Sequence, residues 1–125
     1  MTGATVFKDE IQEGDVHFLA VYLETNNACI VLLSEGEDQL GTLAVSIPPS
    51  AQATAPSLSS VLIGDRTMTM ARIFAERLAA KVNKIGLVSV YLKGTSEAEA
   101  APILFKLFEK VTKAKPVVGQ ESVQI

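Results

Sequence analysis

The chain of 125 residues has one cysteine, Cys29, and one histidine, His17. A lone cysteine cannot close a disulfide within its own chain, nor hold a cysteine-based metal cluster there. No Asn-x-Ser/Thr glycosylation acceptor occurs. These absences favour a reducing, intracellular setting. Basic charge is not in excess either: 11 Lys and Arg stand against 14 Asp and Glu, giving a net charge of −3. Nucleic-acid binding needs a basic footprint interleaved with aromatics, and none is present. No apolar run approaches the roughly 20 residues that span a bilayer. The opening residues, MTGATVFKDEIQEGD, have no basic start and no apolar core, so no secretory signal is expected.

What is abundant is apolar surface. Hydrophobic residues make up 48% and charged residues only 20%, with a mean hydropathy of +0.30. A domain this small exposes a large share of its surface, burying roughly two-thirds of what the extended chain shows. The excess must be covered internally or meet a partner.

Periodicity places the elements. Residues 5–11 alternate loosely as an edge strand, and EGD at 13–15 is a turn. VHFLAVYLE at 16–24 is a strand, and TNNA at 25–28 is a hairpin turn in which Asn26 and Asn27 could adopt positive φ. CIVLLS at 29–34 returns, EGEDQ turns again, and LGTLAVSI at 40–47 continues the meander. PPSAQATAPSLSS at 48–60 reads as a long surface loop, and VLI at 61–63 as a short strand. Met70, Phe74, Leu78 and Val82 then recur at helical spacing. Asp65 or Thr67 is the expected N-cap of that helix, with a side-chain oxygen accepting a free backbone N–H, and Asn83 its stop. IGLVSVYL at 85–92 is a further strand. Ser96 and Glu99 form a capping-box pattern for a second helix with Ile103, Leu104, Leu107, Phe108 and Val111 on its apolar face, unless that helix starts at Pro102. Residues 1–113 are expected to form one domain, with 114–125 a frayed tail. The fold class is α+β: an antiparallel sheet, made of a meander plus a later strand, with two helices on one face.

Both faces of the long strands are apolar. Val16, Phe18, Ala20 and Tyr22 oppose His17, Leu19, Val21 and Leu23; Gly86, Val88, Val90 and Leu92 oppose Ile85, Leu87, Ser89 and Tyr91. A sheet with one wet face should alternate cleanly between apolar and polar. Two helices cover one face, so the second is expected to pack on another polypeptide as a sheet-on-sheet dimer. Cover by the 48–60 loop and the tail is the competing account.

Chemistry-bearing motifs are weak. GDRT follows a short strand and precedes a helix, as in a phosphate loop, but the second glycine and the lysine are missing. His17 lies in a strand with no nucleophile elbow in the sequence. Glu35, Glu37 and Asp38 lack the oxygen-ligand spacing of a calcium loop. Cys29 reads as a buried thiol. No catalytic, cofactor or metal residue is assigned, and the chain reads as a binding or assembly module.

The block SSVLIGDRTMTMARIFAERLAAKVNKIGLVSVYL at 59–92 resembles the proteasome assembly chaperone 4 family, the Poc4-type proteins of yeasts. The residues that carry the likeness are Leu62, Ile63, Gly64, Asp65, Thr67 and Thr69, then Ala75, Arg77, Leu78, Lys81, Asn83 and Lys84, then Val88, Ser89 and Tyr91. VHFLAVYL, its hairpin and LGTLAVSIPP extend it to residues 16–92. The resemblance implies a non-enzymatic, cofactor-free chaperone of the cytoplasm and nucleus. It would pair with a proteasome assembly chaperone 3-like subunit, or with itself when isolated, and bind proteasome alpha subunits during alpha-ring assembly. A hydrophobic-Tyr-x tail that docks in alpha-ring pockets is not implied, because the chain ends Val123-Gln124-Ile125. The expected protein-binding residues are Arg66, Arg72 and Glu76 for the client, and Leu87 or Val88 for the pairing face. Two other classes remain: a roadblock- or longin-like scaffold in trafficking or GTPase regulation, whose usual order puts a helix before the first hairpin, and a small hydrolase or transferase built on His17 and Asp65.

Overall fold

The computed structural model describes residues 4–48 and 58–113. The order is β1 (Thr5–Glu13), β2 (Val16–Glu24), β3 (Ala28–Glu35), β4 (Thr42–Ser46), β5 (Ser59–Ile63), α1 (Met68–Val82), β6 (Ile85–Tyr91) and α2 (Glu97–Lys113). The strands form one open, mostly antiparallel sheet in the order β1-β2-β3-β6-β4-β5. With its two helices this is the expected α+β class. Of the expected loop at 48–60, residues 49–57 lie outside the described residues, as does the tail at 114–125, while Ser59 and Ser60 belong to β5 and not to the loop.

The β1–β2 hairpin turns on Gly14, whose φ of 61° suits glycine, and Glu13 pairs with Val16. The β2–β3 turn is closed differently from expectation. Thr25 N–H donates to the Ala28 carbonyl at 2.8 Å, and Ala28 N–H donates to Thr25 Oγ1 at 3.2 Å. Asn26 and Asn27 keep negative φ, since Thr67 and Asn83 alone are positive among the described non-glycine residues.

The sheet departs from a simple meander at its centre. β4 does not pair with β3; β6 lies between them, parallel to β3 and antiparallel to β4. Adjacency in sequence favours a meander, but β6 is the strand best suited to the centre. It is apolar on both faces, as strands flanked on both sides tend to be. At Gly86 the sheet also meets α1 backbone to backbone. A Cβ there would lie 2.8 Å from Ala79 N and 3.0 Å from the Ala75 carbonyl oxygen. Ala71, Ala75 and Ala79 give α1 a small-residue face that permits this approach, with Phe74 and Leu78 buried beside it.

Strand parity puts Phe18, Ala20, Tyr22, Val31, Leu33, Val88 and Val90 on one face of the sheet, in a core with Ala71, Phe74, Leu78, Leu104, Leu107, Phe108 and Val111. Both helices therefore cover the same face. Phe74 joins them, its ring centroid 4.9 Å from that of Phe108. The second helix begins at Glu97, capped by the reciprocal pair: Glu99 N–H donates to Ser96 Oγ at 3.2 Å, and Ser96 Oγ donates to Glu99 Oε1 at 3.0 Å. Pro102 is inside the helix, on its exposed side, and does not start it.

The N-terminus of α1 corrects the expected cap. Thr67 occupies the cap position at φ 58°, and no side chain caps the helix. Its hydroxyl donates instead to the carbonyls of Arg66 and, at 3.3 Å, Val90, while Thr42 Oγ1 also donates to the Arg66 carbonyl. The hydroxyl secures the loop to β6, and that anchorage holds a β-branched residue in a rarely visited backbone region. Asn83 ends the helix at φ 55°, as its type predicts.

Because Gly86 is wedged against helix backbone, Gly86→Val should destabilise the fold by about 1–3 kcal/mol. Urea unfolding followed by circular dichroism measures this.

Candidate functional site

Among the described residues, no helix covers the other face of the sheet. β2 contributes Leu19, Val21 and Leu23, and β3 contributes Ile30 and Leu32. Leu87 follows on β6 and Leu43 and Val45 on β4. The register aligns them in rows: Val21 opposite Leu32, Leu23 opposite Ile30, Ile30 beside Leu87, and Leu87 opposite Val45. All are half-buried, and no described helix packs on them. Lys8, Glu10 and Asp38 edge this surface on the β1 side, and Lys8 Nζ pairs with Asp38 Oδ2 at 3.3 Å. An apolar field with charges at one border has the composition of an interface core and rim.

Parity separates the two expected pairing residues. Leu87 is on the open face. Val88 is fully buried in the helix-covered core, so it offers nothing to a partner. Arg66, Arg72 and Glu76 form a different surface. Arg66 is exposed in the loop before α1. Arg72 Nε donates to Ser59 Oγ at 3.0 Å, and that hydroxyl donates to Glu76 Oε2. The arginine, serine and glutamate thus tie α1 to β5 at the far edge of the sheet.

The chemical alternatives are not assembled. His17 is on β2 and Asp65 follows β5, four strand spacings away, or roughly 19 Å. The acidic trio is dispersed. Asp38 pairs with Lys8, Glu37 accepts from Gln39 Nε2 at 2.9 Å, and Glu35 turns inward. Among the described residues no group of three His, Cys, Asp or Glu side chains is placed to hold a metal ion. Burial pushes the Cys29 thiol up to about 11, and Glu24 adds to this against the hydrogen bond from Tyr22, which lowers it. Burial also raises the Tyr22 hydroxyl, which donates to Glu24 Oε1 at 2.6 Å. Lys84 Nζ completes that cluster at 2.6 Å from Glu24 Oε2. Both groups stay protonated and serve packing.

Glu35 is the residue that sequence reasoning placed wrongly in kind. Within an acidic turn it reads as solvated, but it is only 7% exposed. Its carboxylate accepts from Lys93 N–H at 2.9 Å, Thr95 N–H at 3.0 Å and Gly94 N–H at 3.2 Å. It fixes the loop between β6 and α2. Burial opposes its charge, yet the amides of Thr95, Lys93 and Gly94 outweigh burial and hold the carboxyl below its ordinary 4.5. No local pattern announces a carboxylate whose partners lie about sixty residues away.

No family model matches the chain, and no curated protein matches its sequence. Among solved structures, a chain from the crystal structure of a novel chaperone complex for yeast 20S proteasome assembly superposes with a TM-score of 0.65. The match covers 88% of this chain and 93% of that one, at 10% identity. The two chains share a fold.

Two predictions follow from parity and from the clamp. Leu87→Asp should leave the chain folded and abolish its pairing, with itself or with a second subunit, in sedimentation velocity. Val88→Asp should instead unfold it, since a buried carboxylate without a partner costs about 4 kcal/mol or more. For Glu35, the lowered folded-state value means that its stabilisation is complete above pH 4.5 and fades as pH falls through the folded value. Glu35→Gln should cost about 1–3 kcal/mol at pH 7 and flatten the loss of stability below pH 4.5, read by denaturant titration across pH.

Proposed function

We propose that this chain is a non-enzymatic assembly chaperone subunit that pairs through its open sheet face. The observation that carries the reading is that face: rows of aliphatic side chains in register on four adjacent strands, with both helices on the opposite side. Such a surface is costly to leave in water and suits a lasting partner. The fold shared with a chain of a yeast proteasome assembly chaperone complex supports a role of the same kind. The finer reading takes the partner to be a related, proteasome assembly chaperone 3-like subunit. The client is then the alpha subunits of the proteasome core particle, met in the cytoplasm and nucleus.

Such a protein needs two unlike surfaces. The pairing surface should be apolar, as the open face is. The client surface should be smaller and more polar, because the chaperone must leave when the particle is complete. Arg66, Arg72 and Glu76, exposed or half-exposed along the β5–α1 edge, suit that second role. They lie on the helix side of the sheet, so pairing through the open face leaves them accessible.

Affinity capture of the tagged chain from its own cells tests the proposal. Proteasome alpha subunits together with one further small subunit are expected. Their loss with Leu87→Asp, but retention of the small subunit with Arg66→Glu plus Arg72→Glu, would separate pairing from client binding. Recovery of vesicle-coat or GTPase components in place of proteasome subunits would overturn it.

A further inference from the structure

The two edges of the sheet are built to opposite rules. At one edge, β1 carries Lys8, Asp9, Glu10, Gln12 and Glu13. Lys110 Nζ reaches Asp9 Oδ1 at 3.2 Å. Charges along an outer strand deter the addition of a further strand. At the other edge, β5 reads Ser-Ser-Val-Leu-Ile, with no charge and no proline. Leu62 and Ile63 are 53% and 48% exposed. One side of β5 pairs with β4, and no described strand pairs with the other. Among the described residues its outward backbone groups thus have no strand partner, which is what the addition of a strand needs.

The surroundings of this edge specify what could occupy it. All three arginines of the chain, Arg66, Arg72 and Arg77, fall within the segment that follows β5. Every ion pair among the described residues is made by a lysine, and none by an arginine. Arg77 stacks on Phe105, on the side of α1 that faces α2. Arg66 and Arg72 remain on the β5 side, where helical spacing sets Met68, Arg72 and Glu76 along one line of α1. The nearby acids are Asp65, exposed in the loop, and Glu76, which accepts from Ser59 Oγ; Arg72 gives its Nε–H to the same hydroxyl and its side chain is otherwise exposed. Where β5 ends, a cavity of ≈ 370 Å³ opens between Leu40, Thr42, Ile63, Arg66, Tyr91 and Leu92. It can receive one side chain just beyond the strand.

We infer that β5 is a docking edge for an extended, acidic segment of a partner protein, which adds to the sheet as a seventh strand. Backbone hydrogen bonds to β5 supply the attachment. Arg66 and Arg72 select carboxylates, and Ile63, beside Leu43 on the face of β5 away from α1, selects aliphatic residues at the alternate positions. The five residues of β5 limit the added strand to about the same length. The inference shares its location with the proposed client surface, but it depends neither on the identity of the client nor on pairing through the open face.

The test uses the purified full chain and a fluorescein-labelled eight-residue peptide of alternating glutamate and valine. Saturable binding is expected by fluorescence anisotropy, with the lysine–valine counterpart roughly tenfold weaker or worse. Two further peptides carry N-methyl groups on the odd or on the even amides. Only one of these sets faces β5, so one should abolish binding and the other should spare it. Arg66→Glu plus Arg72→Glu should weaken the glutamate peptide roughly tenfold, and amide resonances of Ser59–Ile63 should shift on binding. Absence of binding up to roughly 1 mM, equal binding of both charge types, or equal effects of the two N-methyl sets would overturn the inference. So would shifts confined to Val21, Leu32 and Leu87, which would assign the peptide to the open face. Failure here leaves the sedimentation behaviour of Leu87→Asp untouched, so the two proposals fall separately.

Discussion

The backbone contact between Gly86 and α1 is the constraint around which the molecule is arranged. It brings the helix down onto β6 at a point where a side chain would intrude. With α1 seated there, β6 is held at the middle of the sheet, between β3 and β4. Within the sheet, β1-β2-β3 on one side and β4-β5 on the other are joined through that strand. The Glu35 clamp then fixes the exit of β6 and sets the start of α2. Close packing of this sort tolerates little change, because interiors have no room to absorb an added carbon.

A consequence of that arrangement is the asymmetry between the two faces. Both helices follow strands of the same sheet and both lie on one side, sharing Phe74, Phe105 and Phe108. The opposite side keeps its aliphatic rows. Open sheet face, arginine-flanked edge and charged β1 edge are then three surfaces of unlike chemistry on one small domain.

Much of this was legible along the chain. Residues 16–24, 29–34 and 85–92 announce strands by their apolar runs, and Phe74, Leu78, Leu104 and Phe108 announce helical faces by their spacing. The capping box at Ser96 and Glu99 is local chemistry and reads as such. Elements went astray where a distant partner decided. Thr67 looked like a cap by residue type, but its hydroxyl is drawn to the carbonyl of Val90. Asn26 and Asn27 looked like the turn formers, but the Thr25 hydroxyl reaches the backbone first. The 40–47 strand looked like the next in a meander, because nothing local says that a later strand will enter between it and its predecessor.

The sequence by itself determined the class of the fold, the approximate place of each element, and the fact that both sheet faces are apolar. Those properties follow from period and composition, which are local and additive along the chain. Which face the helices cover was decided only by the tertiary structure. Leu87 and Val88 are neighbours of similar type, and one residue of register sends one to the open surface and the other to the core. The strand order, the inward turn of Glu35 and the place of β5 at the end of the sheet were settled in the same way. Each depends on which segments meet across dozens of residues, where packing and hydrogen bonding outweigh local preference.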